Sequence, residues 1–223
     1  MKKLLACSAA AAALALWTSH ASAATIDLGY YNGSSITQFA SGSTGTLVSG
    51  SATYGDFSIT ASASGSGTPG ALNSNTIDIL SSGSGTLIVY ATLVGVTSPV
   101  STAVTWLSDF TSNALPAGWS VTEATYLDPA DGAYALTDEL SSTTFSATGA
   151  TTISYGLDPG AGPYSLTEVF TITASGPSET GANSTIDLSG TTPLPAALPL
   201  FIGGLGVFGF AGLRKSKKQR TTI

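Results

Sequence analysis

Five of the chain's thirteen carboxylates fall in one stretch, EATYLDPADGAYALTDEL: Glu123, Asp128, Asp131, Asp138 and Glu139. Tyr126 and Tyr134 lie among them, and Trp119 comes just before. Three chemistries compete for such a stretch. Two carboxyls, one protonated and one ionised, suffice for glycoside hydrolysis. Asp128-Pro-Ala-Asp131-Gly132 offers the oxygen-rich turn that a hard cation such as calcium takes, although it lacks the alternating Asp spacing of an EF-hand. Asp-Pro and Asp-Gly are also ordinary turn dipeptides whose side chains point to water. The turn reading is favoured here and for the pair Asp138-Glu139. Asp128 and Asp131 remain the calcium candidates, and no other cofactor is expected.

The residue palette narrows the chemistry further. Met1, Cys7 and His20 are the only Met, Cys and His of the chain. All seven basic residues lie at the ends: Lys2 and Lys3, then Arg214, Lys215, Lys217, Lys218 and Arg220. From Ala24 to Leu213 the chain therefore has no imidazole, thiol, amine or guanidinium side chain. A Ser-His-Asp triad, a Cys-His pair, a Schiff base and an ordinary zinc site are excluded, and so are disulfides. Phosphate backbones and anionic headgroups are bound through Lys and Arg, so nucleic acid and acidic lipid are excluded as partners of the body. No catalytic residue is expected. Glycan binding is the alternative and needs Trp106, Trp119 or nearby tyrosines exposed as a stacking platform. A carboxylate glycosidase comes third.

The ends read as an address. Residues 1–23 have the three parts of a secretory signal: Lys2 and Lys3, an apolar run, and Ala21-Ser22-Ala23, which places peptidase cleavage after Ala23. Residues 196–213 form a charge-free stretch long enough for a helix of about 27 Å, close to a hydrocarbon core. The basic end, 214–220, follows at once, and positive charge stays in the cytoplasm. Both ends thus predict an exported body, 24–192, between a signal peptide and a sorting tail, 193–223.

Pro193-Leu194-Pro195-Ala196, the apolar Gly- and Phe-rich stretch and Arg214-Lys215-Ser216-Lys217-Lys218 together resemble the PEP-CTERM sorting signals of Gram-negative bacteria, in their VPLPA variant. Thr192 stands where that variant usually has Val. The resemblance covers about thirty residues and says nothing of the body. It implies processing by an exosortase near Pro193–Ala196, after signal peptidase has acted at Ala23. It also implies an inner-membrane-anchored precursor and then delivery to the cell surface or an extracellular matrix, where exopolysaccharide or other surface proteins are the expected partners and adhesion one expected role.

The body reads as short apolar-alternating runs between Gly, Ser, Asn and Pro clusters. In TEVFTITA, Val169, Thr171 and Thr173 face one way while Phe170, Ile172 and Ala174 face the other. About nine such runs predict a single all-β sandwich. Only STAVTWLSDF, 101–110, reads as a short helix, because Val104, Leu107 and Phe110 recur about once per turn. Thr-Ile-Asp followed by Leu or Ile occurs three times, at 25–28, 76–79 and 185–188, and predicts Asp27, Asp78 and Asp187 on solvated strand faces.

Overall fold

The computed structural model describes residues 23–100 and 104–191. The expected signal peptide up to residue 22, the expected sorting helix and the basic end, with Pro193, Leu194, Pro195, Ala196, Arg214 and Lys215, lie outside the described residues. Ala23 is the last residue of the predicted signal and the first described.

Period-two alternation produces twelve strands in two six-stranded sheets, with every ladder antiparallel. The first sheet has the order β2 (Ile36–Ser43), β1 (Thr25–Tyr31), β6 (Gly85–Val96), β11 (Tyr164–Ala174), β8 (Ser120–Asp128), β9 (Asp138–Phe145). The second runs β10 (Gly149–Gly156), β7 (Thr105–Ala114), β12 (Ser178–Thr191), β5 (Gly70–Ser81), β4 (Phe57–Gly67), β3 (Val48–Tyr54). The two inner faces meet in one apolar core that includes Ile26, Leu28, Ile59, Leu72, Ile79, Leu87, Leu93, Phe110, Phe170 and Leu188. This is the β-sandwich that the alternation predicts.

Two details differ from the sequence reading. The described part of 101–110 is strand, not helix. Trp106, Ser108, Phe110 and Ser112 are buried, whereas Thr105, Asp109 and Asn113 between them are exposed. Val104, Leu107 and Phe110 recur every three residues as in a helical turn, but in the strand's period of two Leu107 faces away from Phe110 and is only half-buried. Pairing to β10 on one side and β12 on the other decides the outcome. There are also twelve strands rather than about nine, since β2, β3 and β7 were not anticipated. β2 and β3 read ITQFASGS and VSGSATY, with too few apolar residues to stand out. Both are edge strands, where half-exposed pairing suffices.

The three Thr-Ile-Asp segments lie in β1, β5 and β12 as expected. Ile26, Leu28, Ile77, Ile79, Ile186 and Leu188 are buried while the three aspartates face outward. They do not form one set, because Asp27 belongs to one sheet and Asp78 and Asp187 to the other.

The antiparallel registers place all chain reversals at two poles. One pole carries Ala24, the connections after β2, β4, β6, β8 and β10, and Thr191 at the end of β12. It is tied together by Tyr164, whose hydroxyl donates to the Pro99 carbonyl at 3.2 Å, and by Trp106, packed edge-on to Tyr164 at 5.8 Å. The opposite pole carries the turns after β1, β3, β5, β7, β9 and β11. Both ends of the body therefore leave from the same pole.

Candidate functional site

Strand β8 divides the acidic stretch between two faces. Val121, Glu123 and Leu127 point into the sandwich, while Thr122, Tyr126 and Asp128 lie on the outer face of the first sheet. Asp138 and Glu139 open the edge strand β9, where Tyr126 donates to Glu139 at 3.4 Å and Ser142 at 2.7 Å. The predicted acidic cluster is thus dispersed over three environments.

Asp128 was expected to face water across a Pro-Ala turn, but it is buried. The cause is the connection 129–137, which folds back over the outer face of the sheet. Asp128 Oδ2 accepts the Gly132 N–H at 2.8 Å, and Oδ1 accepts the Thr137 hydroxyl at 2.7 Å. Asp131 Oδ1 accepts the Gly95 N–H at 2.7 Å. Ser165 donates to the Gly132 carbonyl at 2.7 Å, and the Tyr134 N–H donates to Thr92 Oγ1 at 3.2 Å. Asp131 and Tyr134 hold φ of 58° and 59°, a left-handed conformation unusual outside glycine. These bonds sustain it. Burial alone pushes the Asp128 carboxyl upward, but hydrogen bonds from Thr137, Gly132 and Ala130 outweigh it and hold the group below its ordinary value. Its stabilising contribution is present above the unfolded value and is lost as pH falls through the lower folded one.

The calcium candidates therefore point their oxygens at protein donors. Among the described residues, no group of three or more His, Cys, Asp or Glu side chains comes together to hold a metal ion. Asp128→Ala removes the Gly132 and Thr137 hydrogen bonds to a buried carboxylate and should cost about 2–4 kcal/mol, with faster amide exchange at Gly132 and Tyr134. Denaturant unfolding measures the first and hydrogen exchange the second. Unchanged exchange would mean that the connection is held by other contacts. A rise in melting temperature with calcium beyond that of sodium at equal ionic strength, lost in this variant, would instead make Asp128 a calcium ligand.

The inner face holds the less expected arrangement. Glu123 on β8 lies opposite Phe170, and Glu168 on β11 lies opposite Thr125, so the two glutamates are diagonal neighbours on adjacent strands. Both are fully buried. Ser74, from the facing sheet, donates to Glu168 Oε2. Glu168 Oε1, both carboxyl oxygens of Glu123 and the hydroxyls of Ser112 and Ser184 are buried without a hydrogen-bond partner. Beside them Ser108 and Thr125 share a hydrogen bond at 2.8 Å, and Thr125 and Ser141 another at 2.9 Å. Burial pushes Glu123 up to about 7; the Ser184 hydroxyl and the Thr111 backbone pull the other way but complete no bond. Glu168 is held well above the carboxylate range, chiefly by burial, with the Ser74 hydroxyl opposing and Asp187 and Glu123 adding repulsion.

Glu123 was among the sequence candidates, although in a stretch taken to be exposed. Glu168 was missed. Its signal is the alternation itself, which puts it in phase with Leu166, Phe170 and Ile172 on the buried face. A carboxyl held protonated is half of a glycosidase, but a substrate must also reach it. A groove of about 590 Å³ opens at the pole opposite both ends, lined by Asp56, Phe57, Leu80, Pro177 and Glu179 among others, and neither buried glutamate borders it.

Trp106 and Trp119 are both core residues. Their indole N–H groups donate to the carbonyls of Leu157 at 3.1 Å and Gly176 at 3.2 Å. Neither presents a ring face to solvent, so the stacking platform expected of them is not there. Among the described residues, Tyr31 and Tyr155 are the exposed aromatic rings, at 37% and 47%, and they lie on different sheets. Among known proteins, no family model matches the chain and no curated sequence matches it.

Proposed function

We propose that this chain is an exported cell-surface or extracellular-matrix protein, trimmed by signal peptidase and an exosortase, whose sandwich is a displayed, non-enzymatic and adhesive body. The observation that carries the reading is the position of the two ends. Ala24, which follows the expected signal-peptide cut, and Thr191, two residues before Pro193, leave from one pole. A body tethered to a membrane by either end is held at that pole and offers the opposite one, with its groove, to the surroundings. The acidic body, free of Lys and Arg, suits a hydrated matrix and neutral or cationic partners. The burial of both tryptophans speaks against glycan binding on a tryptophan platform.

Intact-mass analysis of the protein from membrane, surface and matrix fractions tests this reading. Surface material should begin near Ala24 and end near residue 195, without the apolar stretch or RKSKKQR. Surface protein that retains RKSKKQR would remove the exosortase step and leave a plain single-span anchor.

A further inference from the structure

We infer that Glu123 and Glu168 form a proton-held latch between the two sheets, closed while both carboxyls are un-ionised and loosened when they lose their protons. The geometry carries this. Two adjacent carboxyls sit fully buried in the core, and no cationic group faces them from any packed element. β5 contributes Ser74, β7 Ser108 and Ser112, β12 Ser184, and β9 Ser141; β6 places Ala91 opposite Glu168. Among the described residues, the one further charged neighbour is a third acid, Asp187, on the outward face of β12. No Lys, Arg or His occurs anywhere between Ala24 and Thr191. An ionised pair would be unpaired, desolvated and mutually repelling. A proton on each removes all three costs and supplies a donor for the unpartnered oxygens around it.

The direction of the pH dependence follows. Both groups are raised in the folded body, so between the unfolded glutamate value and the folded values the native state binds more protons, and stability falls as pH rises. Glu123 ionises through about pH 7. Glu168 is raised as well, chiefly by burial, and a charge on either carboxyl opposes ionisation of the other. Asp128 acts with the opposite sign at the acid end. The body should be most stable in mild acid.

Thermal unfolding of the full-length and exported protein from pH 5 to 9.5, at constant ionic strength, tests the latch. The unfolding equilibrium constant should rise on the order of a hundredfold between pH 5 and 8 from Glu123 alone. Glu123→Gln with Glu168→Gln should flatten that dependence and melt higher than the parent at pH 9. Should the double variant fail to fold, infrared spectra of the parent provide the second readout. The carbonyl band of un-ionised buried carboxyl should persist at pH 6 in folded protein and vanish on unfolding. A melting temperature flat from pH 5 to 9.5, or the absence of that band, would overturn the latch. Calcium rescue at pH 9 that the Gln variants lack would also overturn it, assigning the pair to a cation instead.

Discussion

Trp106→Ala should destabilise the body by about 3–5 kcal/mol, the largest loss expected from a single truncation. The ring is fully buried at the pole where both ends leave. It lies edge-on to Tyr164, and its N–H satisfies the Leu157 carbonyl. Removing it leaves a cavity, an unpaired carbonyl and an unsupported Tyr164. Neighbours cannot readily fill the space, because the chain beside it is already as close as it can be: a Cβ at Gly190 would stand 2.7 Å from the ring. Urea denaturation should show a lowered midpoint with an unchanged slope. A loss below about 1 kcal/mol would mean that the ring is not the core residue described here. Loss of glycan binding at unchanged stability would restore the tryptophan platform.

Gly181→Ala should cost about 2–5 kcal/mol. The residue sits at a bulge where β12 slips against β5, between the paired residues Ser178 and Ala182. Its φ is +63°, and an added Cβ would stand 2.4 Å from the Ile79 carbonyl oxygen and 2.7 Å from the Leu80 side chain. Backbone strain and steric overlap therefore add. Gly45→Ala separates the two effects, since that glycine has φ of +82° but nothing within 4 Å of the added atom. It should cost only the conformational term, about 1–2 kcal/mol. Equal losses at the two positions would show that the crowding at Gly181 relaxes at no cost.

Alternation made much of this fold legible before any coordinates. The Thr-Ile-Asp segments announce which side of β1, β5 and β12 is buried, because Ile and the following Leu or Ile cannot both face water while Thr and Asp stay inside. The same rule, carried two residues back from Phe170, places Glu168 in the core. It was overlooked because a charged residue is ordinarily assumed to be solvated. β7 was misread for a related reason, since Val104, Leu107 and Phe110 satisfy a helical spacing locally, and only neighbours at 149–156 and 183–191 select the strand. The acidic stretch 123–139 could not be resolved by composition. Whether Asp128 is wet depends on 129–137 folding back onto Thr92, Gly95 and Ser165, which are contacts between distant parts of the chain.

The strand order sets when the chain can fold. β11 lies in the middle of the first sheet and β12 in the middle of the second, yet they are the last strands to be made. β11 must bridge β6 and β8, and β12 must bridge β7 and β5, so neither sheet exists as a continuous layer until residues 164–191 are present. Pairings across such sequence separations close late and slowly. Until then the growing chain holds each sheet only in two pieces, β2-β1-β6 with β8-β9 and β3-β4-β5 with β7-β10, which the last two strands join. A polypeptide that must thread a narrow translocation pore gains from that delay. Under the export proposed above, this sandwich would be completed only after its final strand had crossed.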